Sequence, residues 1–141
     1  MSALTSSQAL GLIAAAFATA RDKGYKPMGV VVVDAAGQIK AAARQDGASA
    51  LRIDIATGKA CAAAGMGVSS RVLTQRAKDL PAFMISLASA SSQKFLPQTG
   101  AVLIKDAGGE VIGAAGASGG TGDEDEEVCI VGIAAVGLQH G

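Results

Sequence analysis

The chain is predicted to fold as an α+β domain, an antiparallel sheet of about five strands flanked by helices. Three observations carry that expectation. Val30–Val33 and Ala101–Ile104 are short apolar runs, and each is followed by a turn and a second short run, the pattern of a β-hairpin. Alanine-rich segments with helical spacing stand before, between and after the two hairpins. No stretch long enough to act as a linker separates them, so residues 1–141 are read as a single domain of ordinary size.

Taken in order, Thr5 and Gln8 have the spacing of a capping box ahead of the first helix. Leu10, Ile13, Ala14, Phe17 and Ala20 are expected on its inward face, and Gly24 just past its end. Gly29 to Asp34 reads as a buried strand, Ala35-Ala36-Gly37 as a turn and Gln38 to Arg44 as the returning strand. Asp34 is placed to hold the turn through its carboxylate. Ala50 to Ala64 is expected to be helical, with Ala56, Lys59, Ala60 and Ala63 close together and Gly65 and Gly67 interrupting. A short helix is expected from Ser69 or Ser70 to about Lys78, capped by one of those serines. Another starts at Pro81, a residue tolerated in a first turn, with Phe83, Met84, Leu87 and Ala88 inward. Ser89 to Gln93 is polar and loop-like.

The second hairpin pairs Ala101–Ile104 with Glu110–Ala115 and delivers the chain to its most distinctive stretch. Gly113 belongs to the strand end, and Gly116, Gly119 and Gly120 are read as a glycine-rich turn, followed by Thr121 and five consecutive acids, Asp123 to Glu127. Thr121 and Glu124 form a second capping box, and the acids complement the positive end of the helix dipole. An apolar helix is expected from Val128 to Leu138.

Composition removes several function classes. Twelve basic and twelve acidic residues give zero net charge, and no basic stripe is present, which argues against nucleic acid or an anionic membrane as the main partner. No apolar run approaches the roughly 20 residues that span a bilayer. The N-terminal segment lacks a basic region before its apolar run and is read as a helix rather than a signal peptide, so a cytoplasmic protein is expected. Cys61 and Cys129 fall in apolar helical patterns and are read as buried small hydrophobes, with no zinc-like spacing.

The candidate chemistry is sparse. The glycine run lacks the Gly-Lys-Ser/Thr ending of a phosphate-binding loop, and the acids beyond it would repel a phosphate. Those acids are expected to splay outward as a solvated cap, with a weak divalent site at Asp123 and Glu127 as the alternative and no metal assigned. His140, the only histidine, lies beside the C-terminal residue, where chains are usually mobile, so no triad can be built around it. Tyr25, Met28 and Met66 remain as residues of types that can ligate haem iron. Lys59, in a dense alanine helix, is the leading binding candidate. It could hold a carboxylate, phosphate or propionate; the alternatives are a lysine lying along apolar surface and a salt bridge at a subunit contact.

Three stretches together resemble the GlcG/HbpS family, the DUF336 domain. They are Val32-Val33-Asp34-x-x-Gly37 followed by Ala43-Arg44-x-Asp46-Gly47-Ala48; Ile55-Ala56-Thr57-Gly58-Lys59-Ala60; and Gly113-Ala-Ala-Gly116-Ala-Ser-Gly119-Gly120-Thr121 with its acids. The resemblance covers nearly the whole chain. At Leu96-Pro97-Gln98-Thr99-Gly100-Ala101 this sequence departs from the Gly-Gly-x-Pro that usually leads into the strand. The resemblance implies a profilin-like or PAS-like sheet and a higher homo-oligomer, such as an octamer. It also implies a small-molecule-binding accessory protein, with haem or a corrinoid as ligand. Arg44, Asp46 and Lys59 would be polar anchors, and Gly119 and Gly120 would admit the ligand to the backbone. An enzyme acting on a small carboxylate or carbonyl compound and a purely structural oligomer are the competing readings.

Overall fold

A computed structural model describes residues 3–92 and 94–141. The element order is α1 (Ser6–Asp22), β1 (Gly29–Asp34), β2 (Ile39–Arg44), α2 (Arg52–Met66), α3 (Ser70–Asp79), α4 (Pro81–Ala90), β3 (Ala101–Lys105), β4 (Val111–Ser118), α5 (Gly122–Ala135) and β5 (Gln139–His140). The strands form one sheet in the order β2-β1-β4-β3-β5, with every neighbouring pair antiparallel. The α+β class follows from this helix-flanked sheet. Among the described residues no helix is long and apolar enough to cross a membrane.

The sheet is covered on both faces, and the strand alternation shows which residues serve each. Val30, Val32, Val102, Ile104 and Ala115 join Leu12, Ile13, Val128 and Ile133 in the core under α1 and α5. Val31, Val33, Leu103 and Ala114 point the other way, to Ala56, Ala60 and Ala63 of α2. A small third cluster, Ala62, Leu73, Met84 and Phe95, ties α3 and α4 to the back of α2. The Val30–Val33 run is buried along its whole length because both faces are occupied.

Both capping boxes form, Thr5 with Gln8 and Thr121 with Glu124. Asp34 accepts from the amides of Ala36 and Gln38 at 3.0 Å each, which fixes the first hairpin turn. The buried stripe of α1 differs from expectation. It runs Ala9, Leu12, Ile13, Ala16 and Ala20, while Leu10 and Ala14 face solvent. The reason is the approach of α5 to the Leu12 side of the helix: a Cβ on Gly132 would lie 2.6 Å from the Leu12 carbonyl oxygen, so the two helices come together closely there. On α4 only Met84 of the expected face is fully buried, and Phe83 is exposed.

Two corrections concern the C-terminal half. Gly116 is not in a turn; β4 runs past the expected end at Ala115 and continues to Ser118. Gly116 is required by packing, since a Cβ there would meet the backbone of α2 at Ala56 O, 2.6 Å away. The C-terminus is also built into the sheet. Gln139 and His140 pair with Lys105 and Ile104, and Gly141 exchanges hydrogen bonds with Leu103, because β3 otherwise leaves an open edge.

Candidate functional site

The site forms where α2 crosses the end of β4 and the start of α5. Alanines on the inner face of α2 bring its backbone close to β4, so Lys59 reaches across the end of the strand. Its side chain is buried, and Nζ lies 3.0 Å from the Ala117 carbonyl oxygen and 3.0 Å from Asp125 Oδ2. The other carboxylate oxygen of Asp125 accepts the Gly120 N–H at 2.9 Å. A salt bridge thus joins the second helix to the last one, across the strand end between them.

The acidic run does not behave as one solvated cap. Glu124 closes the capping box, Asp123 and Glu126 meet Arg71, and Glu127 meets Lys23 and Tyr25. Asp125 is turned inward with Val128, Cys129, Gly132 and Ile133, because successive residues rotate about the helix axis and this position falls on the apolar stripe. Asp123 and Glu127 have different partners, and among the described residues no cluster of three or more His, Cys, Asp or Glu could hold a metal. Burial pushes the Asp125 carboxyl above its ordinary range; Lys59, the Gly120 N–H and Arg52 pull against it. Cys129, fully buried beside Asp125, has its thiol pushed up by the same loss of water.

Above the Lys59–Asp125 pair is an open cavity of about 470 Å³. Arg52, Ile55 and Lys59 supply one wall from α2, and Leu96 and Thr99 another from the segment before β3. Ser118 and Gly120–Asp123 complete it at the start of α5. Arg52 donates through Nη1 to Ser118 Oγ at 3.1 Å. The departure noted at Leu96-Pro97-Gln98-Thr99 therefore falls in the pocket wall.

The expected anchors are not all brought together. Lys59 and Gly120 line this cavity. Gly119 instead lies against the segment just before β1: its φ is 145°, and a Cβ would lie 2.4 Å from the Pro27 carbonyl oxygen. Arg44 and Asp46 lie at the end of β2 in a separate groove of about 450 Å³ with Phe17, Arg21 and Tyr25. Arg52, Thr99, Ser118 and Asp125 were not among the anchors. Arg52 was legible, since it stands seven residues before Lys59 and so two turns along the same helix face.

The family described as haem degrading protein HbpS-like matches residues 4–134. No curated protein matches the chain. Among solved structures, a heme complex of PduOC is 26% identical, with 97% of each chain covered and a TM-score of 0.85. A double mutant of Streptomyces reticuli HbpS is 26% identical over 97% of this chain and 89% of that one, with a TM-score of 0.83. Klebsiella pneumoniae ORFY, assigned to DUF336, shares the fold at 23% identity, covering 94% of this chain and 90% of its own, with a TM-score of 0.84. With the family model matching residues 4–134 and the fold agreeing over nearly the full length, the chain belongs to the HbpS-like family.

Proposed function

We propose that this chain is a small-molecule-binding accessory protein of the HbpS-like type, and that its ligand occupies the cavity over Lys59 and Asp125. The observation that carries the reading is the cavity itself. It is of a size that accepts small molecules, and its floor is a buried, hydrogen-bonded ion pair that fixes the surrounding elements.

Haem is the ligand that the family and the PduOC complex bring forward. Its iron takes an axial ligand from His, Cys, Met or Tyr. Among the described residues none of these lines the cavity, so the residues there do not fit an iron-ligated haem; a corrinoid, bulkier still, meets the same shortage. Tyr25, in the Arg44 groove, donates to Glu127, and this bond holds its phenol above the ordinary range, away from the ligating phenolate. Cys61 and Met66 share a groove of only about 180 Å³. A polar small molecule suits the main cavity better than the family's haem does.

The test is amide NMR of the labelled protein during titration with haemin and, separately, with a panel of small polar metabolites. Shifts are expected at Thr99, Gly120, Thr121 and Gly122, and they should vanish in Gln98→Trp, which fills the mouth. Shifts centred on Arg44 and Asp46 would move the site to the other groove. An absorbance change with haemin, accompanied by shifts in the main cavity, would restore haem as its ligand.

A homo-oligomer is part of the same proposal. Leu80, Phe83 and Ile85 are exposed on and beside α4, an apolar surface of the kind that subunits cover. Native mass spectrometry tests it, and a monomer at micromolar concentration would remove it.

A further inference from the structure

We infer that the cavity takes a small carboxylate bearing an oxygen on the neighbouring carbon, with the carboxylate on Arg52 and the second oxygen on Lys59. This rests on the cavity being the ligand site and names the chemistry of its occupant.

The argument starts from charge. Lys59 and Asp125 neutralise one another, and Asp123 at the rim shares Arg71 with Glu126. Among the described residues Arg52 has no carboxylate within salt-bridge distance; its bond is to the neutral Ser118 hydroxyl. The Arg52 charge thus has no ion-pair partner of its own at the wall. A guanidinium has five N–H donors in a fork that matches a carboxylate, so most of its capacity is free for a ligand.

The second contact comes from Lys59. An ammonium has three N–H donors. Two are used, by Ala117 O and Asp125 Oδ2, and among the described residues the third has no acceptor, although the side chain is buried and borders the cavity. A ligand oxygen would complete it.

Spacing then limits the ligand. Arg52 and Lys59 are tied to successive residues of β4, to the Ser118 hydroxyl and the Ala117 carbonyl, so both donors serve the same end of that strand. Two cationic donors gathered at one strand end suit a compact ligand with oxygens on adjacent carbons better than the ends of a long dicarboxylate. Ile55 and Leu96 offer an apolar wall for a short aliphatic remainder.

The test is calorimetric titration of the full chain with pyruvate, lactate, propionate and pyruvamide. Pyruvate or lactate should bind best. Propionate, lacking the second oxygen, and pyruvamide, lacking the charge, should each bind at least about tenfold more weakly. Arg52→Gln should weaken pyruvate by about tenfold or more, with Arg52→Lys retaining part of the affinity. A circular dichroism melt should show both variants folded, since Arg52 is partly exposed. Equal binding of pyruvamide and pyruvate, or unchanged affinity in Arg52→Gln, would overturn the inference. If haemin or another compound without this carboxylate pattern shifts the Gly120 and Thr121 amides while no small carboxylate does, the inference falls and the binding function stands. If nothing shifts them, both fall.

Discussion

Lys59 and Asp125, 66 residues apart in sequence, form a salt bridge of 3.0 Å in which neither side chain has more than a few per cent of its surface in water. Such a pair is costly to break from one side, because the partner is left as an uncompensated buried charge. Lys59→Met should cost about 3–5 kcal/mol by urea denaturation at neutral pH. The double variant Lys59→Met with Asp125→Leu should cost less than the sum of the two single changes. Additive losses would show that the two side chains act independently.

The same pair makes a pH prediction. Burial raises the Asp125 carboxyl above its ordinary value of 3.8, so the folded state holds that proton more tightly than the unfolded chain does. The associated stability is fully present below 3.8 and is lost as pH rises through the raised folded value. Lys59→Met removes the main opposing charge and should sharpen the trend, so its penalty should shrink on acidification. A penalty that stays constant from neutral pH to about pH 4 would contradict the assignment.

Glu127 has the opposite sign. Hydrogen bonds from Lys23 and Tyr25 hold its carboxyl below the ordinary 4.5. Its contribution is present above 4.5 and is lost as pH falls through the lowered folded value. Glu127→Gln should therefore flatten the acid limb of the stability profile. An unchanged limb would show that the contact between α5 and the end of α1 has no part in acid unfolding.

How much of this was legible depended on whether a residue's neighbours were near in sequence. The hairpin turn at Asp34 and both capping boxes are local hydrogen-bond patterns, and they form as read. Leu10 was misplaced because an alanine-rich helix has no strong apolar side. Which face turns inward is decided by the approach of Gly132 to Leu12, a contact distant in sequence. Gly116 looked like a turn because glycine serves both bends and close contacts; here α2 lies against the strand. Lys59 was identified, but its partner was not. The clue was Asp125, a charged residue at the spacing of the apolar stripe it shares with Val128, Cys129 and Gly132. Arg44 and Asp46 were grouped with Lys59 by the family motif, whereas β2 carries them to another groove.

The glycines give a paired stability prediction. Gly116→Ala would push a methyl against the α2 backbone and should cost about 1–3 kcal/mol. Gly65→Ala adds a methyl in open space within α2 and should stabilise by about 0.5–1 kcal/mol. Denaturation midpoints moving in opposite directions would confirm that the two glycines have different causes; equal effects would not.

The cysteines should separate by reactivity. Cys61 is partly exposed and Cys129 is buried with its thiol pushed up. A thiol reagent should label the native protein once, at Cys61, and reach Cys129 only on unfolding. Rapid double labelling would mean that α5 opens readily from the sheet.

The most direct measurement of the site is calorimetry on two arginine variants, Arg52→Gln and Arg44→Gln, with whichever small ligand binds the wild type. The expected result is loss of about tenfold or more in Arg52→Gln and wild-type affinity in Arg44→Gln, since Arg52 borders the cavity over Lys59 and Arg44 does not. Loss in Arg44→Gln with full binding in Arg52→Gln would contradict the assignment and place the ligand between α1 and the end of β2.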